Sequence, residues 1–267
     1  MKKKAVIISF LIINLFFFIY SYFYLHFYES YTEITLYDKK FKRFFREQKC
    51  GISNSNYYII LKPLYDRIEA VYIFDVDIQS AHNFFICELD GKYGVFDEKG
   101  NEIIPIRYST IIQKSDYFIC EKNSKWGIIG QKGEIKIPFE YQSIKYTEDN
   151  FFKTKKNNRL GLLDYQLNRL FFEKYNNIYV NKITKDIGEG FGIIKKEIII
   201  GKNDNEAEIL DYSDLKRSNR NLNSNVEEKI NKYKFDDIKD KSIVKNIPYL
   251  FVKRNNKWGI INFKDFT

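Results

Sequence analysis

The chain has 267 residues, enough for one large domain or two small ones, and its apolar share of 44% permits a sizeable core. Its formal net charge of +9 includes three lysines at the N-terminus, which leaves a modest basic excess for the rest. No nucleic-acid-binding motif accompanies that excess, so we expect no nucleic-acid partner.

The N-terminus predicts a membrane span. Three lysines at positions 2–4 precede residues 5–28, which carry no formal charge. A helix of that length measures about 36 Å, enough to cross a hydrocarbon core of about 30 Å. The lysines before the span and Glu29 after it predict a cytoplasmic N-terminus and an extracytoplasmic remainder. The alternative is a secreted protein with a cleaved signal peptide, but the bulky residues 21–25 lack the small side chains that cleavage favours.

Three further regions follow the predicted anchor of residues 1–28. Residues 29–46 are expected to form a juxtamembrane linker or cap. Residues 47–267 are expected to form one repeat domain, with a polar insertion at about 213–232 that is rich in Asn, Ser and Lys.

A fixed spacing identifies the repeat. A glycine stands 14 residues before a tyrosine four times, and an isoleucine follows each tyrosine by three. The pairs are Gly51 and Tyr65, Gly94 and Tyr108, Gly127 and Tyr141, and Gly161 and Tyr175; the isoleucines are Ile68, Ile111, Ile144 and Ile178. Such self-similarity is typical of repeat architectures.

Weaker copies follow on the same spacing. Phe191 and Gly192 fit the centre of a fifth unit, with Tyr212 as a displaced end. Asn221 fits a decayed sixth centre, because Asn tolerates positive φ better than most residues. Trp258 and Gly259 open a last, partial copy. Seven centres then recur about every 35 residues.

The motifs around two of these centres carry a family resemblance. Residues 125–129 read Lys-Trp-Gly-Ile-Ile, residues 257–261 repeat that sequence, and a Pro-x-x-Tyr-x-x-Ile tail follows the first copy. The chain therefore resembles the WG (KWG) repeat family over roughly residues 47–267. The resemblance implies a β-repeat fold and no particular biochemical activity. Other residues replace the family's Trp at Cys50, Tyr93, Leu160 and Phe191, and Phe172 replaces the Pro found at Pro105 and Pro138.

Each unit also reads as β-structure from its residues alone. Aromatic and β-branched runs such as 84–89 and 117–122 are of strand length. Asp-Gly or Asn-Asn pairs after them predict two-residue type I′ hairpins. We predict an all-β chain of three-strand meanders that stack into an elongated or curved array, with a closed seven-bladed propeller as the alternative. The proposed structural signature comprises Cys50, Gly51, Tyr65, Tyr93, Gly94, Pro105, Tyr108, Trp126, Gly127, Pro138, Tyr141, Leu160, Gly161, Tyr175, Phe191, Gly192, Trp258 and Gly259.

The central glycine has two candidate explanations. It occupies either a bulge that needs positive φ or a place where an aromatic ring lies over the backbone. We favour the second for Trp126 and Trp258, with each indole stacked on an adjacent unit.

No sequence motif indicates catalysis, a cofactor or a metal. His82 has no nucleophile motif nearby, and the Gly-rich residues 188–192 precede a strand rather than the helix of a phosphate-binding loop. Cys87 and Cys120 fill the same position of adjacent units, and we interpret them as buried apolar groups rather than a disulfide.

These patterns favour a non-enzymatic interaction or scaffold module. The expected contacts are the membrane, through residues 5–28, and a protein partner. The alternative partner is a cell-envelope glycan or polyanionic polymer, because the chain is basic and rich in aromatic residues. An enzyme is the least favoured interpretation.

Overall fold

The computed structural model describes residues 31–75, 79–186, 193–204, 206–212, 232–238 and 249–262. The predicted membrane span at 5–28 and nearly all of the polar insertion lie outside the described residues. Within these ranges, no helix has the length and apolar character needed to cross a membrane. The described chain consists of antiparallel β-sheets that follow one another along the sequence, as the repeat predicts.

Each of the first three sheets contains four strands. The first contains β1 (Tyr31–Leu36), β2 (Lys39–Arg46), β3 (Lys49–Asn54) and β4 (Ile59–Tyr65). The second contains β5 (Arg67–Asp75), β6 (Ser80–Leu89), β7 (Lys92–Asp97) and β8 (Glu102–Tyr108). The third contains β9 (Thr110–Lys114), β10 (Tyr117–Lys122), β11 (Lys125–Gly130) and β12 (Ile135–Tyr141).

The fourth and fifth sheets repeat this order, and the sixth has three described strands. The fourth contains β13 (Ser143–Tyr146), β14 (Phe152–Lys156), β15 (Arg159–Leu163) and β16 (Arg169–Tyr175). The fifth contains β17 (Asn177–Asp186), β18 (Ile193–Lys202), β19 (Ala207–Asp211) and β20 (Lys232–Phe235). The sixth contains β21 (Asp237–Ile238), β22 (Tyr249–Arg254) and β23 (Lys257–Asn262).

The described residues form two compact units. One contains the residues up to 123 together with 128–137, and the other contains 124–127 together with the residues from 138 onward. One unit therefore contains the first and second sheets, the other contains the fourth, fifth and sixth sheets, and the strands of the third sheet are divided between them.

The repeating unit has four strands, so the prediction of three strands was wrong. The missed strand begins two residues after the tyrosine and contains the isoleucine of the tail, which is Ile68 in β5 and Ile111 in β9. A single residue separates it from the preceding sheet. At two of these junctions the amide of Asp66 donates to the carbonyl of Glu88, and that of Ser109 to Glu121, both at 2.8 Å.

The segment expected to be a linker or cap instead forms strands. Within residues 29–46, β1 and β2 are the first two strands of the first sheet. The turn that joins β2 to β3 places Glu47 and Gln48 at φ 51° and 64°. That conformation is the type I′ hairpin predicted for other units, although neither residue favours it.

The predicted hairpins have the expected geometry where the sequence contains Asp-Gly or Asn-Asn. Asn157 and Asn158 adopt φ 50° and 60°, and Asn255 and Asn256 adopt 51° and 61°. Asn is the non-glycine residue that adopts this conformation at the lowest cost.

Opposite the central glycines, the fourth strand bulges towards the third. Cys50 pairs with Tyr65, and Ile52 pairs with Leu61. Between these two pairs the chain advances by two residues in β3 but by four residues in β4. A Cβ added to Gly51 would lie 2.6 Å from the carbonyl oxygen of Leu61. The bulge is therefore on the partner strand, and close approach of its backbone explains the glycine.

An aromatic ring contributes at Gly51 as well, but it belongs to the same sheet. The Phe44 ring would lie 2.7 Å from a Cβ at that position. Neither Gly51 nor Gly94 has a positive φ, so the positive-φ explanation is wrong for these two residues.

The fifth sheet departs from the predicted repeat. Ala207 pairs with Phe235 and Glu208 with Lys234, without any register shift. Glu208 thus fills the position that holds glycine elsewhere, because a regularly paired strand leaves room for a side chain. One sheet therefore occupies the stretch to which two centres, Gly192 and Asn221, were assigned.

The residues named for those two centres have different places. Phe191, Gly192 and Asn221 lie outside the described residues. Tyr212 is buried directly after β19, where its ring lies 5.1 Å from that of Phe151, and Phe235 ends the unit instead.

The cores lie between successive sheets, and the signature tyrosines form part of them. Tyr65, Phe85 and Cys87 belong to one core cluster shared by the first two sheets. In the other unit, the ring of Tyr175 lies over Gly201 of the next sheet, 2.8 Å from where a Cβ would be. Tyr175 thus occupies space above a small residue of the following sheet, and Tyr65 shares a core with the small residue Cys87 of its following sheet.

Candidate binding surfaces

The signature residues lie where they support the fold. The aromatic or apolar residue and the glycine occupy the third strand of a sheet, and the tyrosine ends the fourth. Four tyrosines are buried: Tyr65, Tyr108, Tyr141 and Tyr175. Pro105 and Pro138 lie on fourth strands, which are sheet edges, where a residue without an N–H is tolerated.

Trp126 and Trp258 are not enclosed in a core. Trp126 is partly buried in β11, and Trp258 is 47% exposed in β23. The predicted stacking of each indole on an adjacent unit stays a prediction.

A cleft of about 610 Å³ opens on the first sheet, beside the bulge of β4. Its apolar wall contains Phe44, Ile59, Pro63 and Leu64. Ile59 and Leu64 are 49% and 55% exposed, although both are large apolar side chains. Pockets of this size are in the range that holds a small ligand or the side chains of a bound peptide.

The rim of this first-sheet cleft is mostly basic. Arg46, Lys49 and Lys62 line it together with Glu47. Lys49 forms a hydrogen-bonded ion pair with Asp66, which raises the pKa of Lys49 and lowers that of Asp66. Arg46 lies 3.9 Å from Glu47, so part of the positive charge is compensated.

The pairing register explains why the cleft occurs on the first sheet. Lys42 and Phe44 occupy the positions that Phe85 and Cys87 occupy in the second sheet, where both are fully buried against the preceding sheet. In the first sheet a lysine replaces the first of these apolar residues. The second is a large ring that folds back over Gly51. We call this the end face of the first sheet; Phe44 itself is only 1% exposed, and the exposed apolar surface of the cleft comes from Ile59 and Leu64.

Exposed tyrosines surround this end face. Tyr31 and Tyr57 meet edge to face with centroids 5.8 Å apart, and the Lys42 ammonium lies 3.4 Å from the centre of the Tyr57 ring. Tyr58 is 72% exposed. Rigid aromatic side chains of this kind are enriched at protein interfaces.

A second cleft, of about 550 Å³, lies at the fourth and fifth sheets and is polar. Its wall is formed by Arg159, Glu173, Lys174, Asn203, Asp204 and Glu206. Carboxylates that converge without partners would suggest a catalytic acid–base pair. Whether this cleft is such a site therefore depends on the partners of Glu173, Asp204 and Glu206.

Each of these carboxylates already has a partner. Glu173 accepts two hydrogen bonds at 2.9 Å from Arg169, and Glu206 lies 3.4 Å from Lys174. Asp204 accepts a hydrogen bond of 2.9 Å from the Asn176 amide. We interpret the second cleft as a network of compensated surface charges.

The same lysine also pairs with the carboxylate in the glycine position of the fifth sheet. Lys174 donates to Glu208 at 2.6 Å, and the Glu208 side chain is only 3% exposed. Burial, followed by the neighbouring carboxylate of Glu208, raises the pKa of Tyr175.

The remaining reactive side chains are placed as structural groups. Cys50, Cys87 and Cys120 are free and buried, which confirms that Cys87 and Cys120 are packed thiols rather than a disulfide. His82 is exposed and lies 4.0 Å from Asp75. Among the described residues, no three His, Cys, Asp or Glu side chains form a group that could hold a metal ion.

Consecutive antiparallel meanders with a recurring Gly and Tyr define a tandem β-repeat protein. The family model described as WG containing repeat matches residues 93–126 and 126–159, which run from β7 to β15. Residues 93–159 therefore contain WG repeats, and the predicted resemblance is confirmed there. This repeat fold is not a known enzyme family. No curated protein matches the chain.

Sequence reasoning missed the first-sheet cleft. Its residues come from β2, β3 and β4, and Ile59 and Leu64 do not stand out in a chain rich in apolar residues. The available signal was the basic and aromatic pattern of 39–46, which lies within the segment 29–46 predicted to be a juxtamembrane linker or cap.

Proposed function

We propose that this protein is a non-enzymatic interaction module whose repeat domain, anchored outside the cytoplasm by residues 5–28, binds an apolar segment of a partner protein in the first-sheet cleft. The observation that carries the proposal is the cleft itself. Ile59 and Leu64 of its apolar wall are 49% and 55% exposed, whereas the equivalent face of the second sheet is packed against the preceding sheet.

Two properties of the cleft favour a protein segment over a small polar ligand. Ile59, Pro63 and Leu64 offer apolar surface, and burial of apolar surface gives about 25 cal/mol per Å². The rim carries Lys62 and Arg46, which suit an acidic residue beside the apolar anchor.

Site-specific photo-crosslinking from within the cleft tests this proposal. A photoreactive residue placed at Leu64 of the full chain, in its own cells, should capture one discrete protein. Because an aspartate at Ile59 would introduce a charge into the apolar wall, Ile59→Asp should abolish capture.

The matched control is Ile135→Asp, since Ile135 is 62% exposed but lies outside the cleft. It should leave capture unchanged. Equal capture from the Leu64 probe in the wild type and in Ile59→Asp would contradict the proposal.

A second candidate function is the binding of an envelope polyanion, favoured by the basic rim. Binding through Arg46 and Lys62 would weaken steeply as salt rises, because exposed charges are screened. Co-sedimentation with purified envelope polymer should then fall between about 50 and 300 mM salt, over which the Debye length shortens markedly. Absence of co-sedimentation at low salt would rule this candidate out.

The predicted orientation has a separate test. Protease added to intact cells or spheroplasts should digest the repeat domain and spare the N-terminal lysines. Complete protection of the repeat domain would place it in the cytoplasm and contradict the anchored, extracytoplasmic arrangement.

A further inference from the structure

The first hairpin of the second sheet is longer than those of the third and fourth sheets. Its strands β5 and β6 have nine and ten residues, whereas β9 and β10 have five and six, and β13 and β14 have four and five. All three hairpins begin at the same point, because the isoleucine of the tail is the second residue of β5, β9 and β13. The repeat therefore does not account for the additional residues 72–75 and 80–83.

This extension brings two aromatic rings next to a ring of the first sheet. Tyr72 is 46% exposed and Phe74 is partly buried, while Tyr37, in the turn between β1 and β2, is 51% exposed. The centroid of the Tyr37 ring lies 6.2 Å from that of Tyr72 and 5.3 Å from that of Phe74, with the planes tilted by 40° and 52°. The three rings therefore form one aromatic surface across the first two sheets.

Tyr37 has an unfavourable backbone conformation. Its φ is 52°, whereas Asp38, the second residue of the same two-residue turn, does not have a positive φ. This pattern is that of a type II′ turn, which favours glycine at its first central position. A bulky residue makes the conformation costly, and such outliers concentrate at functional sites. A glycine would suit the turn better, but it would not place a ring beside the second sheet.

A buried amide on the same face lacks one hydrogen bond. Asn83 lies directly opposite Tyr72 in the pairing of β5 with β6, so the two side chains are neighbours on one face of the sheet. Asn83 is only 1% exposed, and its Nδ2 donates to the Glu98 carboxylate at 2.8 Å. Its Oδ1 is buried and has no hydrogen-bond partner among the described residues. Because an unsatisfied buried acceptor is costly, Oδ1 favours a ligand that supplies a donor.

The ionic groups beside Asn83 compensate each other. Lys39 donates to one oxygen of the Glu98 carboxylate at 2.6 Å, and Asn83 donates to the other. A charged ligand would find no uncompensated counter-charge in this group of side chains. The suitable ligand is therefore neutral, with an apolar face for the rings and a hydroxyl group for Asn83.

We propose that Tyr37, Tyr72, Phe74 and Asn83 form a binding site for a neutral sugar ring, which we call the aromatic site. The C–H face of a pyranose stacks on Tyr72, since the negative face of an aromatic ring attracts C–H hydrogens. One sugar hydroxyl donates to Asn83 Oδ1. Because this oxygen is covered without a ligand, the Tyr72 ring rotates on binding, and exposed side chains rotate readily. The aromatic site shares no residue with the first-sheet cleft and is additional to the proposed function.

Saturation-transfer NMR on the purified full chain tests this proposal. The probes are cellotetraose and chitotetraose, and the protein is kept in a detergent whose headgroup contains no sugar. Saturation should pass from the protein to the ring protons of at least one tetramer. Because the site is neutral, the signal should be equal at about 50 and about 500 mM salt, between which exposed charges become strongly screened.

Substitutions of exposed rings locate the binding. Tyr72→Ala removes the stacking face and should abolish the signal. Tyr37→Gly should abolish it too, but its melting temperature should not fall, because glycine relieves the strained turn. Asn83→Leu keeps the branched shape, removes the acceptor and should also lose the signal. The matched control is Tyr165→Ala, since Tyr165 is 41% exposed on the fourth sheet; it should bind as the wild type does.

The inference is overturned if neither tetramer receives saturation, or if Tyr72→Ala and Tyr37→Gly both bind as well as the wild type. A signal that disappears at high salt would overturn it as well, because it would indicate binding to charges. Binding of trimethyllysine in place of both sugars would reveal a cation site instead.

The aromatic site and the first-sheet cleft can fail separately. Ile59→Asp, which blocks the cleft, should leave the sugar signal unchanged. Tyr72→Ala should leave crosslinking from Leu64 unchanged. Loss of both readouts in either variant would contradict the assignment of two independent sites.

Discussion

At the scale of single residues, close backbone approach decides which side chains the third strand tolerates. A methyl group on Gly94 would lie within 2.8 Å of the Ile104 carbonyl oxygen and the Ile106 amide nitrogen. These are backbone atoms, which cannot move aside as a flexible side chain can. Glu208 occupies the same position where the fourth strand pairs without a bulge.

Gly94→Ala should therefore destabilise the protein. Overpacking of this kind costs about 1–3 kcal/mol, because the bulged strand has to shift. Urea unfolding would measure the loss as a lower midpoint. Gly259→Ala is the matched control and should leave the midpoint unchanged; an equal loss in both variants would contradict the explanation from strand approach.

Buried tyrosines should make the protein sensitive to alkaline pH. Burial raises the pKa of Tyr65 to about 12, whereas an unfolded tyrosine ionises near 10. The folded state thus keeps a proton that the unfolded chain loses. The contribution is fully present below about pH 10 and is lost as the pH rises from about 10 to 12.

Unfolding free energies measured between pH 9 and 12 would test whether stability falls as the pH rises. They should fall by up to about 1.4 kcal/mol per pH unit for each such group. Tyr65→Phe should flatten that fall, whereas replacement of Tyr58, which is 72% exposed, should leave it unchanged. A stability that is independent of pH in this range would count against the buried phenol.

At the scale of elements, two-residue hairpins join the second strand to the third in every sheet except the fifth, where four residues, 203–206, connect β18 to β19. Where Asn-Asn or Asp-Gly supplies positive φ, the hairpin was predicted from the sequence. Glu47 and Gln48 adopt the same conformation without a suitable side chain, so neither this hairpin nor the first two strands could be recognised. The signal was absent because neither Glu nor Gln favours positive φ, and the turn is closed by the pairing of β2 with β3 instead.

Replacing Glu47-Gln48 by Asn-Gly should stabilise the first sheet. Left-handed backbone costs an ordinary residue about 1–2 kcal/mol, and Asn and Gly relieve most of that cost. Thermal unfolding should show a higher melting temperature. The same pair placed at Ser55-Asn56, where neither residue has positive φ, should bring no gain.

The strand after each tyrosine was missed for a different reason. β9 and β13 have five and four residues, and one residue separates each from the preceding strand. Without a turn signal at that junction, the predicted third strand ended at the tyrosine, and the isoleucine after it was assigned to no strand. The junction is instead set by a hydrogen bond from the intervening amide to the next sheet, which a single sequence does not reveal.

At the scale of the whole molecule, the Gly–Tyr spacing predicted the first four sheets and placed the last glycine correctly on a strand. The spacing failed in the fifth sheet, because a regularly paired fourth strand needs no glycine opposite it. A search for glycines therefore cannot detect Glu208 as the centre of that unit. The binding surfaces were equally hidden from the sequence. The first-sheet cleft arises beside the bulge of β4, where Ile59 and Leu64 are exposed.

The central claim is that the chain is a succession of four-strand antiparallel meanders, including one unit in which Glu208 replaces the glycine. Nuclear Overhauser effects across the fifth sheet of the isotopically labelled protein test it most directly. The pairing of β19 with β20 predicts cross-strand contacts between the backbone protons of Glu208 and Lys234 and of Ala207 and Phe235. Contacts that instead joined Gly192 to a fourth strand ending at Tyr212 would contradict it.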